Sequence, residues 1–123
     1  MSEQTIQNDL YSYNVSILDK YECLSLGATT IKNLMEMKKI KKVNIQQHIG
    51  DKKPDVLIID KNGQVVIYQE QKVPKKFKSD KDIQKAIEQE IEAAKHLGAK
   101  IYVVSDGEKF IWINPLTGKK ILD

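Results

Sequence analysis

The sequence predicts an α/β fold in which a mixed central β-sheet is flanked by helices. Three observations support this prediction: a hairpin pattern over residues 55–71, a strongly amphipathic helix after it, and two strand-type runs after the helix. A helix that connects two strands of one sheet usually returns the chain parallel to the first strand, by a right-handed crossover. The 123 residues are expected to form a single domain, because this length supports one hydrophobic core and is too short for two.

The amino-terminal third is predicted to be helical with interruptions. Residues 1–7 are expected to be disordered, and from Asn8 to Ile40 apolar residues recur at helical spacing with a break at Gly27. Residues 43–49 are typical of a short strand that ends at a Gly-Asp turn. The apolar positions of the helical pattern are Leu10, Tyr13, Ile17, Leu18, Tyr21, Ile31, Leu34 and Met35.

The next two segments, residues 55–60 and 65–71, are predicted to pair as an antiparallel hairpin. Asn62-Gly63 stands between them, and Asn-Gly favours a two-residue type I′ turn. In that register Ile59 faces Val66. Pro74 stops the second strand, because proline cannot donate a ladder hydrogen bond.

The same register brings three charged side chains together at the open end of the hairpin. Asp55 falls directly opposite Glu70, and cross-strand partners share a face of the sheet at roughly 5 Å between Cβ atoms. Lys72, two residues beyond Glu70, projects to that face too. Two opposed carboxylates repel each other unless a cation lies between them, so the spacing predicts a metal site.

The amphipathic helix begins after Ser79, a predicted N-cap with Asp82 at the third helical position, and ends before Gly98. Residues 99–105 and 110–113 are then predicted strands, separated by an Asp-Gly turn, and residues 119–122 follow a last turn. The apolar stripe of the helix consists of Ile83, Ala86, Ile87, Ile91, Ala94 and Leu97.

Two acids and a lysine on one sheet face are the groups that metal-dependent phosphodiester hydrolysis needs. Carboxylates are hard oxygen ligands for Mg²⁺, which takes only one or two of them and completes its shell with water and substrate phosphate. The ion makes hydroxide available near neutral pH, and the lysine orients or deprotonates the water or stabilises the phosphorane. The alternative is an ordinary hairpin with polar residues at its open end, which leaves two charges without a partner at a cost in free energy.

At these residues the chain resembles the PD-(D/E)xK nuclease superfamily. The motif residues are Pro54-Asp55, Glu70-Gln71-Lys72 and Gln89 on the downstream helix. The resemblance covers residues 53–112, about half the chain, and is greatest to the amino-terminal nuclease domain of type I restriction enzyme R subunits and their stand-alone relatives. It implies a restriction-endonuclease-like fold over residues 1–123.

The resemblance also implies roles for the site residues. Asp55 and Glu70 would hold Mg²⁺, for which Mn²⁺ can substitute, and the main-chain carbonyl of Gln71 would complete the shell. Lys72 would be the catalytic lysine, assisted by Gln89. The family has a tyrosine four residues after this glutamine, where this chain has Ala93, so one aromatic contact of the family's subsite is absent here.

Three further acids are left open by the sequence. Glu90, unlike its neighbour Gln89, lies on the apolar stripe of the helix, so it is either a third acid of the site or an edge residue. Family nucleases often place an acid on the first helix, for which Glu22 and Glu36 are equal candidates.

The charge pattern indicates how DNA would be held. All twenty basic residues are lysines, so bidentate arginine contacts to guanine are absent, and lysine-to-phosphate contacts with little sequence preference are expected. Lys53, Lys75 and Lys76 flank the predicted site and are the expected DNA contacts. For the lysines at 38–42, a solvated surface and a functional patch are equally good interpretations.

Composition excludes several other classes. No apolar run approaches the roughly 20 residues of a membrane span, and the polar start does not read as a secretory signal, so a cytoplasmic, non-membrane protein is expected. The single cysteine, Cys23, forms no internal disulfide or cysteine cluster and is interpreted as a small core residue.

The function predicted from these observations is a Mg²⁺-dependent DNA endonuclease of restriction-modification type. Its partner is DNA, with motor, methylase or specificity subunits of a restriction complex as further candidates, and the chain is either an excised domain or a stand-alone relative. Two alternatives stay open: a non-catalytic DNA- or subunit-binding module on the same fold, and a junction or repair nuclease of the superfamily.

Overall fold

A computed structural model describes residues 20–121 of the chain. Within them one five-stranded mixed sheet has the strand order β1-β2-β3-β4-β5, with β3 and β4 parallel and the other neighbours antiparallel. The predicted mixed α/β architecture is therefore confirmed. The strands are β1 (Tyr21–Ser25), β2 (Val56–Asp60), β3 (Val65–Gln71), β4 (Ile101–Ser105) and β5 (Phe110–Ile113), and the helices are α1 (Ile31–Glu36), α2 (Gln47–Gly50) and α3 (Asp80–His96), with a 3₁₀ turn at Pro74–Lys76.

The prediction for the amino-terminal third is wrong in two places. Tyr21–Ser25 is an edge strand paired with β2, although Tyr21 continues the helical spacing of the preceding residues. The expected strand at 43–49 is instead an irregular segment followed by the short helix α2. The helical pattern after Gly27 is confirmed as α1, which ends at Glu36. The predictions for residues 1–7 and for the helical positions 8–19 lie outside the described residues.

The β2–β3 hairpin forms, but not with the predicted two-residue turn. The Gly63 N–H donates to the Asp60 carbonyl at 3.1 Å, and the Asp60 N–H donates to the Gln64 carbonyl at 3.0 Å. The loop therefore has three residues, with Gly63 at φ 80°, and Asn62 lacks the positive φ that a type I′ turn requires. Its Asp60 carboxylate accepts hydrogen bonds from the N–H groups of Asn62 and Gln64, which fixes the turn.

A β-bulge then restores the predicted register at the other end of the hairpin. Ile59 pairs with Val65 and not with Val66, and the register shifts between Ile58 and Ile59. From Ile58 onward the pairs are those predicted, ending with Val56 opposite Gln69. The longer loop and the extra residue of the bulge cancel, so the next positions along the ladder are Asp55 and Glu70.

Helix α3 agrees with its prediction at both ends. The Ser79 hydroxyl accepts a hydrogen bond from the Asp82 N–H at 3.1 Å, and Gly98 follows the helix with φ 77°. The helix connects β3 to β4 and packs its apolar stripe on one face of the sheet, against residues that include Tyr68 and Tyr102.

The core occupies this face, where all three helices contribute buried residues. On the opposite face Cys23 packs with Val56 and Ile58, so the prediction of a buried core cysteine is confirmed. Residues of β2 and β3 are packed on both faces of the sheet, so the backbone next to Asp55 and Glu70 is supported from both sides.

The last part of the chain follows its prediction. Strands β4 and β5 lie within the predicted runs, and residues 119–121 return to the sheet through a bridge between Ile113 and Lys120. Among the described residues there is no helix with the length and apolar character that a membrane crossing requires.

Candidate active site

The first acid of the site, Asp55, precedes β2 and is held by two hydrogen bonds. Its Oδ2 accepts a hydrogen bond from the Gln71 N–H at 2.8 Å, and its main-chain carbonyl accepts one from the Leu26 N–H at 2.7 Å. Its Oδ1 faces the loop at Gly27, where an added Cβ would lie 3.8 Å away. The side chain therefore has one oxygen bound to β3 and the other directed to the open end of the hairpin.

The second acid, Glu70, lies near the end of β3 and only 14% of its side chain is exposed. Burial, the charge of Asp55 and the charge of Glu90 raise the pKa of Glu70 to about 8, against the opposing effect of Lys72. Its Oε2 is buried and meets no hydrogen-bond donor among the described residues, and a side-chain hydrogen bond with Asp55, which requires a proton between the two acids, also raises the pKa of Glu70. A buried carboxylate oxygen without a partner is costly, so this atom needs a proton or a cation.

The Lys72 ammonium connects β3 to helix α3. Its Nζ lies 3.8 Å from Glu70 Oε1 and donates a hydrogen bond to the side-chain oxygen of Gln89. The Lys72 N–H donates to the Ser105 carbonyl at 2.7 Å, which continues the parallel ladder between β3 and β4. The predicted set of Asp55, Glu70, Lys72 and Gln89 is thus brought together at one end of the sheet.

The structure also assigns contacts to Glu90, which the sequence left open. This residue is buried, accepts a hydrogen bond from the Tyr68 hydroxyl at 2.8 Å and pairs with Lys52 Nζ at 2.9 Å. Lys52 also donates to the main-chain carbonyl of Gln89 at 2.9 Å. Both carboxylate oxygens of Glu90 are therefore engaged, and its charge acts on Glu70 from a distance.

Sequence reasoning did not find Lys52 and Tyr68 as parts of this network. Lys52 stands beside the predicted DNA contact Lys53 and carries no pattern that separates the two. Tyr68 lies between apolar neighbours in β3, and burial followed by the charge and hydrogen bond of Glu90 raises the pKa of its hydroxyl. The sequence does contain a signal for Tyr68. It stands two residues before Glu70 in the same strand, and residues at this spacing face the same side of the sheet, here the side of α3.

The site residues fit a Mg²⁺ ion with few protein ligands. Within residues 20–121 no group of three or more His, Cys, Asp and Glu side chains forms a metal cluster. A magnesium site needs only one or two carboxylates, and here two meet, one with an unpartnered buried oxygen. The Gln71 N–H is committed to Asp55, which leaves its carbonyl as the group that the family resemblance would assign to the ion.

A small groove of about 220 Å³ adjoins Lys72 and carries additional positive charge. Lys76, a predicted DNA contact, lines it together with Lys85, which was not predicted. The other predicted contacts, Lys53 and Lys75, are exposed but do not line this groove. Among the described residues, Asp82 is the one acid that lines this groove, so three lysines outweigh one carboxylate there.

The two acids proposed for a first-helix role, Glu22 and Glu36, are not at this end of the sheet. Glu22 lies on β1 opposite Ile59, and Glu36 is the last residue of α1. Both line a different groove at the turn end of the hairpin, beside Asp60.

Comparison with known proteins gives no relative: no family model matches the chain, and no curated protein or solved structure shows a significant match.

Proposed function

We propose that this chain is a metal-dependent endodeoxyribonuclease of restriction type, with Asp55 and Glu70 as metal ligands and Lys72 as the catalytic lysine. The observation that carries the proposal is the meeting of these three side chains, where the buried Oε2 of Glu70 has no hydrogen-bond donor among the described residues. Two opposed acids in a buried site are destabilising unless one of them is protonated or a cation is their ligand, and a cation is the alternative that we propose.

When bound, Mg²⁺ would supply a nucleophilic hydroxide near neutral pH and neutralise charge on the phosphate. The chain's own residues supply the geometry. Asp55 is oriented by the Gln71 N–H, so its Oδ1 is the oxygen available for a ligand. Glu70 would release its proton as the cation enters, since an adjacent positive charge favours the carboxylate.

Lys72 is the group suited to act on water or on the phosphate. Its ammonium is held between Glu70 and the side chain of Gln89, and can donate to an oxygen placed beside them. Gln89 in turn is fixed on α3, where Lys52 binds its main-chain carbonyl. This arrangement supports electrostatic stabilisation of a phosphorane by Lys72, with Gln89 as a positioning residue.

The lysines beside the site support a nucleic acid as substrate. Lys72, Lys76 and Lys85 line one groove. Because all basic residues of the chain are lysines and none is arginine, contacts to phosphate are favoured over readout of the bases. The choice of DNA as the substrate rests on the resemblance to type I restriction nucleases. The same resemblance suggests a motor, methylase or specificity subunit as a partner.

The experiment is cleavage of supercoiled plasmid with Mg²⁺ or Mn²⁺. Wild type is expected to nick the plasmid, Asp55→Ala and Lys72→Ala are expected to lose nicking, and the exposed acid variant Asp51→Asn serves as the matched control. Nicking that persists in Asp55→Ala would contradict the assigned site. No nicking by wild type, together with DNA binding that is lost in Lys75→Ala/Lys76→Ala, would support the non-catalytic binding module instead.

A further inference from the structure

A second groove, about 1020 Å³ in volume, lies at the turn end of the β2–β3 hairpin, away from the candidate active site. It is formed by β1, the end of α1, the loop after it and the hairpin turn. Seven lysines line it, against three acids, so it carries a formal charge of +4 by that difference. We name it the lysine groove; four of its lysines, Lys38, Lys39, Lys41 and Lys42, lie in the segment that follows α1.

Among residues 20–121, no lysine of this groove forms an ion pair. Across residues 20–121 the ion pairs are Lys52 with Glu90, Lys72 with Glu70 and His96 with Glu92, and none involves a groove lysine. The three groove acids therefore lie among the lysines without pairing with them. Unpaired like charges that line one concavity repel each other, and their field attracts a polyanion.

Lys38 has a backbone conformation that lysine adopts only at a cost. Its φ is 61°, the one positive value at a non-glycine residue in the described chain. The Lys38 N–H donates to the Met35 carbonyl at 3.1 Å and the Lys39 N–H donates to the Leu34 carbonyl at 2.9 Å, a Schellman end to α1. Glycine is the usual residue at this position, because it has no Cβ to clash. Compared with glycine, a lysine at this position makes the fold less stable and adds a positive charge to the groove.

Two segments that line the groove are hydrogen-bonded to each other. The Lys41 N–H donates to the Gly63 carbonyl at 2.8 Å, which joins the loop after α1 to the hairpin turn. The two segments are so close that a Cβ on Gly63 would lie 3.0 Å from the Lys41 nitrogen. The backbone that carries Lys41 is therefore joined directly to the hairpin turn.

We infer that the lysine groove binds the phosphate backbone of a nucleic acid, at a surface separate from the candidate active site. Seven lysines exceed what the two or three phosphates of a mononucleotide can engage, whereas a polynucleotide presents a phosphate at every step. Five residues of β3 separate the turn end from Glu70, which corresponds to about 17 Å along the strand. The inference concerns binding alone and does not require cleavage.

The test measures binding of a fluorescein-labelled DNA duplex by anisotropy, over a range of salt concentrations and with EDTA present. Lys41→Ala/Lys42→Ala is expected to weaken binding several-fold and to reduce the slope of log K against log salt by about 2, since each lost phosphate contact removes about 0.9. Lys119→Ala/Lys120→Ala removes the same charge from exposed positions outside the groove and is expected to retain most of the wild-type affinity.

Lys38→Gly separates a binding role from a structural one. Glycine relieves the positive φ, so this variant is expected to melt at a higher temperature than wild type while it binds the duplex more weakly. Equal loss of affinity in the groove and control pairs would overturn the inference, because net charge alone would then explain binding. The inference would also be overturned if poly-glutamate displaced the duplex from the groove at an equal concentration of charge. The groove would then be assigned to an acidic protein partner. EDTA abolishes any metal-dependent cleavage, so the outcome is independent of whether the plasmid is nicked.

Discussion

The carboxylate of Asp55 accepts a hydrogen bond at 2.8 Å from the main-chain N–H of Gln71, the residue between Glu70 and Lys72. This contact ties the residue before β2 to the end of β3, beyond the last ladder pair of Val56 with Gln69. The position of one acid is thus fixed by the backbone that carries the other acid and the lysine.

A bound metal should stabilise the folded protein through these two acids. Saturating Mn²⁺ is expected to raise the free energy of unfolding of wild type by about 1–3 kcal/mol, because the ion binds only the folded state. Asp55→Asn retains an acceptor for the Gln71 N–H but lacks the ligand charge, so its melting temperature should not respond to Mn²⁺. Differential scanning fluorimetry measures this, with Asp51→Asn as the control. An equal rise in Asp55→Asn would place the metal elsewhere.

Stability of the metal-free protein should depend on the protonation of Glu70. Its pKa is about 8 in the folded protein, against 4.5 for the unperturbed carboxyl, so the unfolded state loses this proton first as pH rises. This group therefore favours folding most below pH 4.5, and its contribution falls between 4.5 and 8, by up to about 1.4 kcal/mol per pH unit. Urea unfolding at several pH values should show a shallower pH dependence in Glu70→Gln. The same slope in wild type and variant would contradict the assignment to Glu70.

The Lys52–Glu90 pair should matter for stability more than its partly exposed lysine suggests. Lys52→Met is expected to cost about 1–3 kcal/mol, because Glu90 is then buried with only the Tyr68 hydroxyl as a partner. The double variant Lys52→Met/Glu90→Gln should recover part of the loss, since a neutral amide needs no counter-charge. Urea denaturation checks both, and a double variant less stable than Lys52→Met would show that Glu90 is not the source of the cost.

Gln89→Ala should separate positioning from folding. The side chain is exposed and contacts Lys72, so its removal should leave the free energy of unfolding within about 0.5 kcal/mol. Plasmid nicking is expected to fall about tenfold, equivalent to about 1.4 kcal/mol in transition-state stabilisation, because Lys72 loses the contact that orients it. Gln84→Ala, on an exposed part of the same helix, is the control and should nick as wild type does. Unchanged nicking by Gln89→Ala would remove it from the site.

Local chemistry in the sequence was enough to predict the elements nearest the site. The Ser79 cap, the Gly98 stop and the apolar stripe predicted α3, because each acts within a few residues of itself. The alternation that carried the hairpin prediction is equally local. The prediction that Asp55 lies opposite Glu70 assumed a two-residue turn, which is wrong. The register at that end of the hairpin is nevertheless the predicted one, because a β-bulge compensates for the longer loop.

Non-local pairing decided what the sequence could not. Residues Tyr21–Ser25 form strand β1 because they pair with β2. The spacing of apolar residues in this segment also fits a helix, and it contains no information about the partner strand. The contacts of Lys72 with Gln89 and of Lys52 with Glu90 span 17 and 38 positions of the chain, so they depend on how α3 crosses the sheet. The sequence by itself determined which residues could form a metal site and the helix beside it. The tertiary structure decided which charges meet there, because the packing of α3 and β1 on the sheet is set by contacts between distant segments and not by local propensity.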